Sequence, residues 1–268
     1  MSEKQTSTFV KKLASNDRKT REAAFEALGN YLKSRSSSKL SLLEMEKLWK
    51  GLYFAMWFCD KAGPQEKLAQ ELANLFSDVI PAASYSTFHE AFWVILIKEW
   101  PSIDQWRIDK YYLTIRRILR QNFIRLQKHG WEEEEINEFL QVLERHVLSG
   151  DKSVPVALPY HLCDIYIDEI ETVLFADLEE ADLEENEEQF KEVFRQKLDI
   201  VEKTPVEKLL SPFAKLNKSA LLKTLRIKCK EEVLEDQRLK DWGVFENDTD
   251  NESEEDDEEE EEWKVSNV

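Results

Sequence analysis

The chain has 268 residues, of which 34% are charged and 42% are apolar, and its formal net charge is −18. An apolar fraction of this size is that of an ordinary globular protein, which excludes a wholly disordered chain. Six glycines and seven prolines are too few for the many tight turns of a β-sandwich or β-barrel, so the composition favours helices.

Helix signals follow one another along the chain with clear stops between them. Asp17 and Ser41 stand at N-cap positions, and Glu44 lies at the capping-box spacing from Ser41. Gly130 and Gly150 end the helices that precede them. The predicted helices of this part of the chain cover about 17–33, 41–61, 64–80, 84–100, 104–129, 132–148 and 159–175.

Taken in pairs, these helices begin near residues 41, 84 and 131, which gives a repeat of 43 to 47 residues. HEAT and armadillo repeats have this length, and their amphipathic helix pairs bury their apolar faces by stacking on neighbouring pairs. The alternative is an irregular helical bundle in which the same spacing is coincidental. The fold class is all-α on either interpretation, and we predict a HEAT/armadillo-like α-solenoid.

The negative charge is concentrated in two short segments. Residues 177–192 carry a net −8 and residues 244–268 a net −12, whereas 1–176 carry −2 and 193–243 carry +4. Helical patterns after the first acidic segment either pack back on the solenoid or dock on a partner. The predicted regions are a helical-repeat domain (1–176), an acidic loop (177–188), a C-terminal helical extension (189–243) and a disordered acidic tail (244–268).

Motifs of catalytic chemistry are missing from the sequence. No two glycines lie close enough for a phosphate-binding loop, and Cys59, Cys163 and Cys229 are too widely spaced for a disulfide framework. His161 and Cys163 point to different faces of a predicted helix, which argues against a metal site there. We predict a protein that is not an enzyme and uses no cofactor, metal or small-molecule substrate.

The longest apolar runs, at 51–59 and 91–97, are shorter than the roughly 20 residues that cross a bilayer, so we expect a soluble intracellular protein without membrane contact.

The strongest candidate for a binding surface is the basic segment at residues 106–128. It contains seven basic residues and one acid, and Lys110, Arg117, Arg120 and Lys128 share a helix face opposite an apolar stripe. Guanidinium groups bind phosphate oxygens in pairs, so such a ridge suits RNA or an acidic protein. The alternative is a solvated face paired with acids of adjacent helices, such as residues 132–135. The candidate binding residues are Arg107, Lys110, Arg116, Arg117, Arg120, Arg125 and Lys128.

Tryptophans fall into two groups. Four of them recur at helical spacing within apolar runs and are expected in the core: Trp49, Trp57, Trp93 and Trp100. Trp263 instead follows nine consecutive acids, in a segment that cannot build a core of its own. It is therefore a candidate anchor of a short partner-binding motif.

Three strings together resemble the eukaryotic ribosomal RNA processing protein 1 family. They are LASNDRKTR (13–21), KLWKGLYFAMWFCDKAGPQEKLAQEL (47–72) and EWPSIDQWRIDKYYLTIRR (99–117). The resemblance covers about residues 8–175, in the same order and spacing. The family favours leucine and phenylalanine where this chain has Ile108 and Tyr111, and these changes leave the helix and its basic residues intact.

The resemblance implies a nucleolar assembly factor of the large (60S) ribosomal subunit, required for pre-rRNA processing toward 5.8S and large-subunit rRNA. It implies a helical scaffold without catalytic activity that binds pre-rRNA and other assembly factors in the pre-60S particle, with Brix-domain and WD-repeat proteins among them. One alternative is a protein-interaction adaptor, or a chaperone for basic proteins, that acts through the acidic tail without touching RNA. A nuclease is a weaker alternative, because no cluster of metal-binding carboxylates is evident.

Overall fold

The computed structural model describes residues 11–13, 15, 17–34, 40–178 and 187–245. Every regular element of these residues is helical, which confirms the predicted all-α class. The predicted disordered tail beyond residue 245, including Trp263, lies outside the described residues, and so does most of the acidic loop. The α-helices are α1 (Arg18–Lys33), α2 (Leu42–Trp57), α3 (Ala62–Asn74), α4 (Ala82–Glu99), α5 (Ile108–Lys128), α6 (Glu133–Arg145), α7 (Ala157–Leu174), α8 (Glu187–Glu202), α9 (Val206–Ser219), α10 (Lys223–Cys229) and α11 (Gln237–Asp241).

The helices stack in two layers. In one layer α2, α4, α6 and α9 each pack against the next, and in the other α3, α5, α7 and α10 do the same. Each helix of the first layer is followed in the chain by its partner in the second. This is the stacked-pair arrangement of an α-solenoid, as the repeat length predicted, rather than an irregular bundle.

The sequence pattern did not identify α9 and α10 as a fourth helix pair. Helix α9 packs on α6, and α10 with the π-helical turn Lys230–Leu234 packs on α7. The Tyr166 hydroxyl donates a hydrogen bond of 2.8 Å to the carbonyl oxygen of Leu209, and its ring lies 4.6 Å from that of Phe213. The C-terminal helices therefore pack back on the stack and share its core, whereas the division of the chain at residue 176 stays a prediction.

Helix caps explain where several elements begin and end. The predicted capping box is confirmed: the Ser41 backbone N–H donates to the Glu44 carboxylate (3.0 Å), and the Glu44 N–H donates to the Ser41 hydroxyl (3.4 Å). Helix α2 nevertheless ends at Trp57, and α3 begins at Ala62 with Pro64 in its first turn. Proline costs little there because the N–H groups of a first turn have no partner within the helix.

Three of the four tryptophans expected in the core are buried, namely Trp49, Trp93 and Trp100. Trp57 is only half-buried. Trp93 donates its indole N–H to Nε2 of His89 (2.9 Å), and His89 is itself buried among aromatic rings. Within the described part of the chain, no helix has the length and apolar character that crossing a bilayer requires.

Candidate nucleic-acid interface

Helix α5 lies in the middle of the second layer. It carries six of the seven candidate basic residues, and the seventh, Arg107, directly precedes it. It packs against α3 on one side and α7 on the other, so its buried surface is wider than the single stripe that the sequence predicted. Tyr111, Ile115, Ile118, Leu119 and Phe123 are all buried. The predicted position on the face opposite the apolar stripe is therefore wrong for Lys110, and the candidate Arg125 is likewise buried.

Lys110 is the first of the candidate basic residues that is buried. Its side chain is 5% exposed, and its ammonium group donates hydrogen bonds of 2.8 Å to the carbonyl oxygens of Trp57 and Cys59. These carbonyls lie at the C-terminus of α2, where a positive charge also interacts favourably with the helix dipole. Burial lowers the pKa of Lys110, against the opposing effect of Asp60. Lys110 thus caps a helix of the preceding pair.

Arg125 does the same for the end of α3. It is 2% exposed, and its Nη1 donates to the carbonyl oxygens of Phe76 (2.9 Å) and Ile80 (2.8 Å), at the π-helical turn that follows α3. Its Nε donates to the buried carboxylate of Glu135, and its guanidinium lies 4.5 Å from the centre of the Tyr85 ring. The acids at 132–135, named above as the alternative partners of the basic face, thus do supply the partner of Arg125.

Arg116 and Arg120 reach toward solvent but share one carboxylate. Glu169 of α7 is completely buried and accepts hydrogen bonds from both guanidinium groups. Nη2 of Arg120 lies 3.0 Å from the Glu169 carboxylate, and Nη2 of Arg116 lies 3.0 Å from that of Asp168. The two arginines therefore hold α5 against α7 while their outer edges stay partly exposed.

The three remaining basic residues lie at the surface. Arg107 pairs with Asp104 and stacks its guanidinium 4.6 Å from the ring centre of Trp57. Lys128 is half-exposed and donates to Asp78 (2.8 Å). Arg117 makes no hydrogen bond or ion pair with any residue of the described ranges.

The surface part of α5 is consequently less positive than the sequence suggested. Four of the five surface cations, all but Arg117, pair with the carboxylates of Asp78, Asp104, Asp168 and Glu169. Each guanidinium keeps further donors, so these pairs do not prevent contact with phosphate. The binding of RNA or of an acidic protein by these residues stays a prediction.

The sequence interpretation overlooked Trp106. This residue precedes Arg107 and is 83% exposed, with its backbone N–H donating to Asp104 (3.0 Å). The signal was present in the sequence, because Trp106 stands between Gln105 and Arg107 and outside any apolar run. An exposed tryptophan beside an arginine can stack on a nucleic-acid base or fill a pocket of a protein partner.

His161 and Cys163 have separate partners. Nε2 of His161 donates to the carbonyl oxygen of Tyr112 (3.2 Å), and the Cys163 sulfur lies 3.6 Å from that of Cys229. Among the residues that the structure describes, no three His, Cys, Asp or Glu side chains come together as a group that could hold a metal ion.

Comparison with known proteins assigns the chain to a family. The sequence profile of nucleolar protein Nop52 matches residues 4–267. The chain belongs to the Nop52 family. This confirms the resemblance described above and the nucleolar localisation that it implied.

Relatives in the Nop52 family carry the expected name. Ribosomal RNA processing protein 1 homolog B of Homo sapiens is 39% identical over 168 residues, which are 62% of this chain and 22% of the human protein. The Caenorhabditis elegans homolog is 33% identical over 164 residues, 61% of this chain and 41% of that relative. This Nop52-family chain therefore spans less than half the length of these relatives, and neither relative is named as an enzyme.

Proposed function

We propose that this chain acts in the nucleolus in the processing of pre-rRNA toward 5.8S and large-subunit rRNA, as a helical scaffold of the pre-60S particle. The observation that carries the proposal is the family assignment over residues 4–267, together with relatives named for ribosomal RNA processing. A stack of helix pairs suits such a role, since it offers extended surfaces to several partners at once. Other assembly factors, Brix-domain and WD-repeat proteins among them, are the partners that the resemblance suggests.

The proposed scaffold has no catalytic activity of its own. This part of the proposal is supported by the contacts of the candidate polar residues, because most of them hold helices together. Lys110 and Arg125 cap helices, and Glu169 bridges Arg116 and Arg120. Side chains fixed in such roles are not free to move protons or bind a metal ion during a reaction.

The proposed contact with RNA uses the solvent-facing part of α5. Arg117 is its central residue, because it lies between the Arg116 and Arg120 pairs and no described residue competes for its donors. Arg107 and Lys128 extend the same helix at its two ends, and Trp106 adds an exposed ring next to Arg107. This arrangement supports binding to a phosphate backbone with one unpaired base stacked on the tryptophan.

The test replaces the surface cations and leaves the buried ones in place. We expect Arg117→Glu with Lys128→Glu to reduce crosslinking of α5 to pre-rRNA in cells, to reduce co-sedimentation with pre-60S particles, and to cause precursors of 5.8S rRNA to accumulate. Lys98→Glu, at an exposed position on α4, is the matched control. Normal crosslinking and processing in the double variant would contradict the RNA contact. Loss of function only on neutralising the acids at 254–262 would favour the adaptor instead.

A further inference from the structure

The last helix pair presents a surface that the function proposed above does not use. Residues 208–230 contain seven lysines and arginines and no acid. Four of these cations are engaged: Lys208 with Glu133, Lys215 with Glu144, Lys228 with Asp164, and Arg226 with the carbonyl oxygen of Ala220. Lys218 and Lys223 are exposed and have no partner among the described residues, and Lys230 is exposed, 3.5 Å from the exposed Glu235.

Large apolar side chains are exposed between these lysines. Leu221 is 64% exposed, Leu222 47% and Ile227 42%. They account for three of the eight large apolar side chains that are exposed in the described part of the chain, and they fall within seven consecutive residues. Isolated exposed leucines are ordinary, but a cluster of this kind with a polar rim is typical of an interaction site.

The geometry of α10 brings the two kinds of side chain together. Lys223, Ile227 and Lys230 follow at spacings of four and three, which places them on one face of the helix. The neighbouring face is used in the stack, because Thr224 accepts a hydrogen bond from the Tyr160 hydroxyl (2.7 Å) and Lys228 pairs with Asp164. The exposed face therefore has no packing role in the described structure.

The position of this pair explains why the surface is uncovered. In the stack, α4 to α7 each contact a helix of the pair before and a helix of the pair after. Within the described residues, α9 and α10 make their main contacts with the pair before them, with each other and with the turn Lys230–Leu234. Terminal repeats of a solenoid ordinarily carry a polar outer face that keeps them soluble. Here the outer residues are leucine and isoleucine, at a position where the stack can be continued by another molecule.

We propose that the terminal surface (Lys218, Leu221, Leu222, Lys223, Ile227 and Lys230) binds an acidic segment of another protein that carries large apolar side chains. The apolar side chains of that segment pack on Leu221, Leu222 and Ile227, and its carboxylates pair with the three lysines at the rim. Charge complementarity selects an acidic partner, and the aliphatic centre selects one with its own apolar residues.

The same composition argues against RNA as the occupant. Residues 214–241 contain no aromatic side chain on which a base can stack. Phosphates paired with Lys218, Lys223 and Lys230 would leave Leu221 and Leu222 facing water. Recognition of single-stranded RNA relies on stacking platforms, which this surface does not offer. The inference is independent of the contact proposed for α5.

The test uses the purified full chain and a fluorescein-labelled synthetic peptide. The peptide consists of glutamates and leucines arranged as an amphipathic helix, and binding is followed by fluorescence anisotropy. We expect binding that weakens by at least about tenfold with Leu222→Asp, and equally with Lys218→Glu plus Lys223→Glu. Leu43→Asp and Lys98→Glu are matched controls at exposed positions elsewhere, and they are expected to bind normally. A peptide with alanine in place of leucine should bind at least about tenfold more weakly.

Other outcomes overturn the proposal and identify a different occupant. Equal binding of the alanine peptide indicates unspecific charge attraction. Displacement of the peptide by oligouridylate, with loss of RNA binding in the same variants, assigns the surface to RNA. A dimer of the chain that Leu222→Asp dissociates assigns it to a second copy. Binding that appears only after the acids at 254–262 are changed to glutamine and asparagine assigns it to the chain's own acidic segment. Absence of binding in all these arms rejects the surface as a docking site.

Discussion

The ammonium group of Lys110 donates a hydrogen bond of 2.8 Å to the carbonyl oxygen of Cys59, and thereby joins the second helix pair to the end of α2 in the first. A second bond of the same length reaches Trp57. A residue that charge patterning assigns to RNA binding is thus a buried cap of a neighbouring helix.

Lys110→Met is expected to destabilise the fold. The thioether side chain fills a similar volume but removes both hydrogen bonds. The Trp57 carbonyl then loses its donor, whereas the Cys59 carbonyl keeps a bond of 2.8 Å from the side-chain amide of Gln65, so the cost is about 1 to 3 kcal/mol of unfolding free energy. Urea denaturation followed by circular dichroism measures the loss. Arg117→Met is the matched control on the same helix, and we expect a change within about 0.5 kcal/mol because Arg117 has no partner in the described structure. Equal losses in the two variants would mean that Lys110 does not act as a cap.

His89 is expected to make the stability of the fold depend on pH. Burial lowers its pKa to about 3 from an ordinary value of 6.5, with His146 adding to the effect. Between these two values the unfolded chain binds a proton that the folded chain does not, so stability falls as the pH drops from 6.5 toward 3. The loss from this one residue is about 2 kcal/mol at pH 5.

The measurement compares the wild type with His89→Phe at pH 7 and pH 5. The variant leaves the indole N–H of Trp93 without its acceptor and is expected to be less stable at pH 7. Its further loss on acidification should nevertheless be smaller than that of the wild type, by about 2 kcal/mol. Identical pH dependence in the two proteins would show that His89 does not titrate in this way.

Glu169→Gln is expected to separate the structural role of α5 from its proposed role in RNA binding. Removing the buried carboxylate weakens the bonds from Arg116 and Arg120 and costs about 2 to 3 kcal/mol of stability. The same change frees positive charge at the surface, so affinity for single-stranded RNA should rise. The slope of log affinity against log salt should steepen by about 0.9 for each additional phosphate contact. Glu144→Gln, which releases only Lys215 on another surface, is the control. An unchanged slope with Glu169→Gln would count against α5 as the RNA-binding element.

Gly150→Ala is expected to disturb the joint between the third and fourth helix pairs. Gly150 has φ of +74°, and a Cβ atom there would lie 3.2 Å from Cα of Ala220, which ends α9. Gly130 has a similar φ of +67° but open space around it, so Gly130→Ala measures the cost of the backbone conformation alone. That cost is about 1 to 2 kcal/mol, and we expect Gly150→Ala to exceed it by at least about 1 kcal/mol in thermal or urea unfolding. Equal losses of stability in the two variants would mean that Ala220 moves away from the new Cβ atom without a loss of free energy.

Helix caps, helix-ending glycines and the repeat length predicted the helices and their pairing well. Ser41 with Glu44 marked the start of α2, Gly130 marked the end of α5, and the repeat length marked the stacked pairs. The predicted exposure failed for Lys110 and Arg125, because periodicity defines one apolar stripe and does not show how many neighbours a helix has. Helix α5 has neighbours on both sides, and the polar ends of those neighbours need donors at the positions of Lys110 and Arg125.

By itself the sequence determined the helical class, the repeat of helix pairs, the uneven distribution of charge and the family. These follow from residue spacing and composition, which are properties of the chain. Only the tertiary structure decided which cations are free. Two of the seven candidate basic residues are buried as helix caps, and four more are paired with carboxylates from elsewhere in the fold or from a neighbouring turn. The exposed lysines and leucines of the last pair were likewise visible only in the structure. Whether a side chain is exposed to solvent depends on which helices pack beside it.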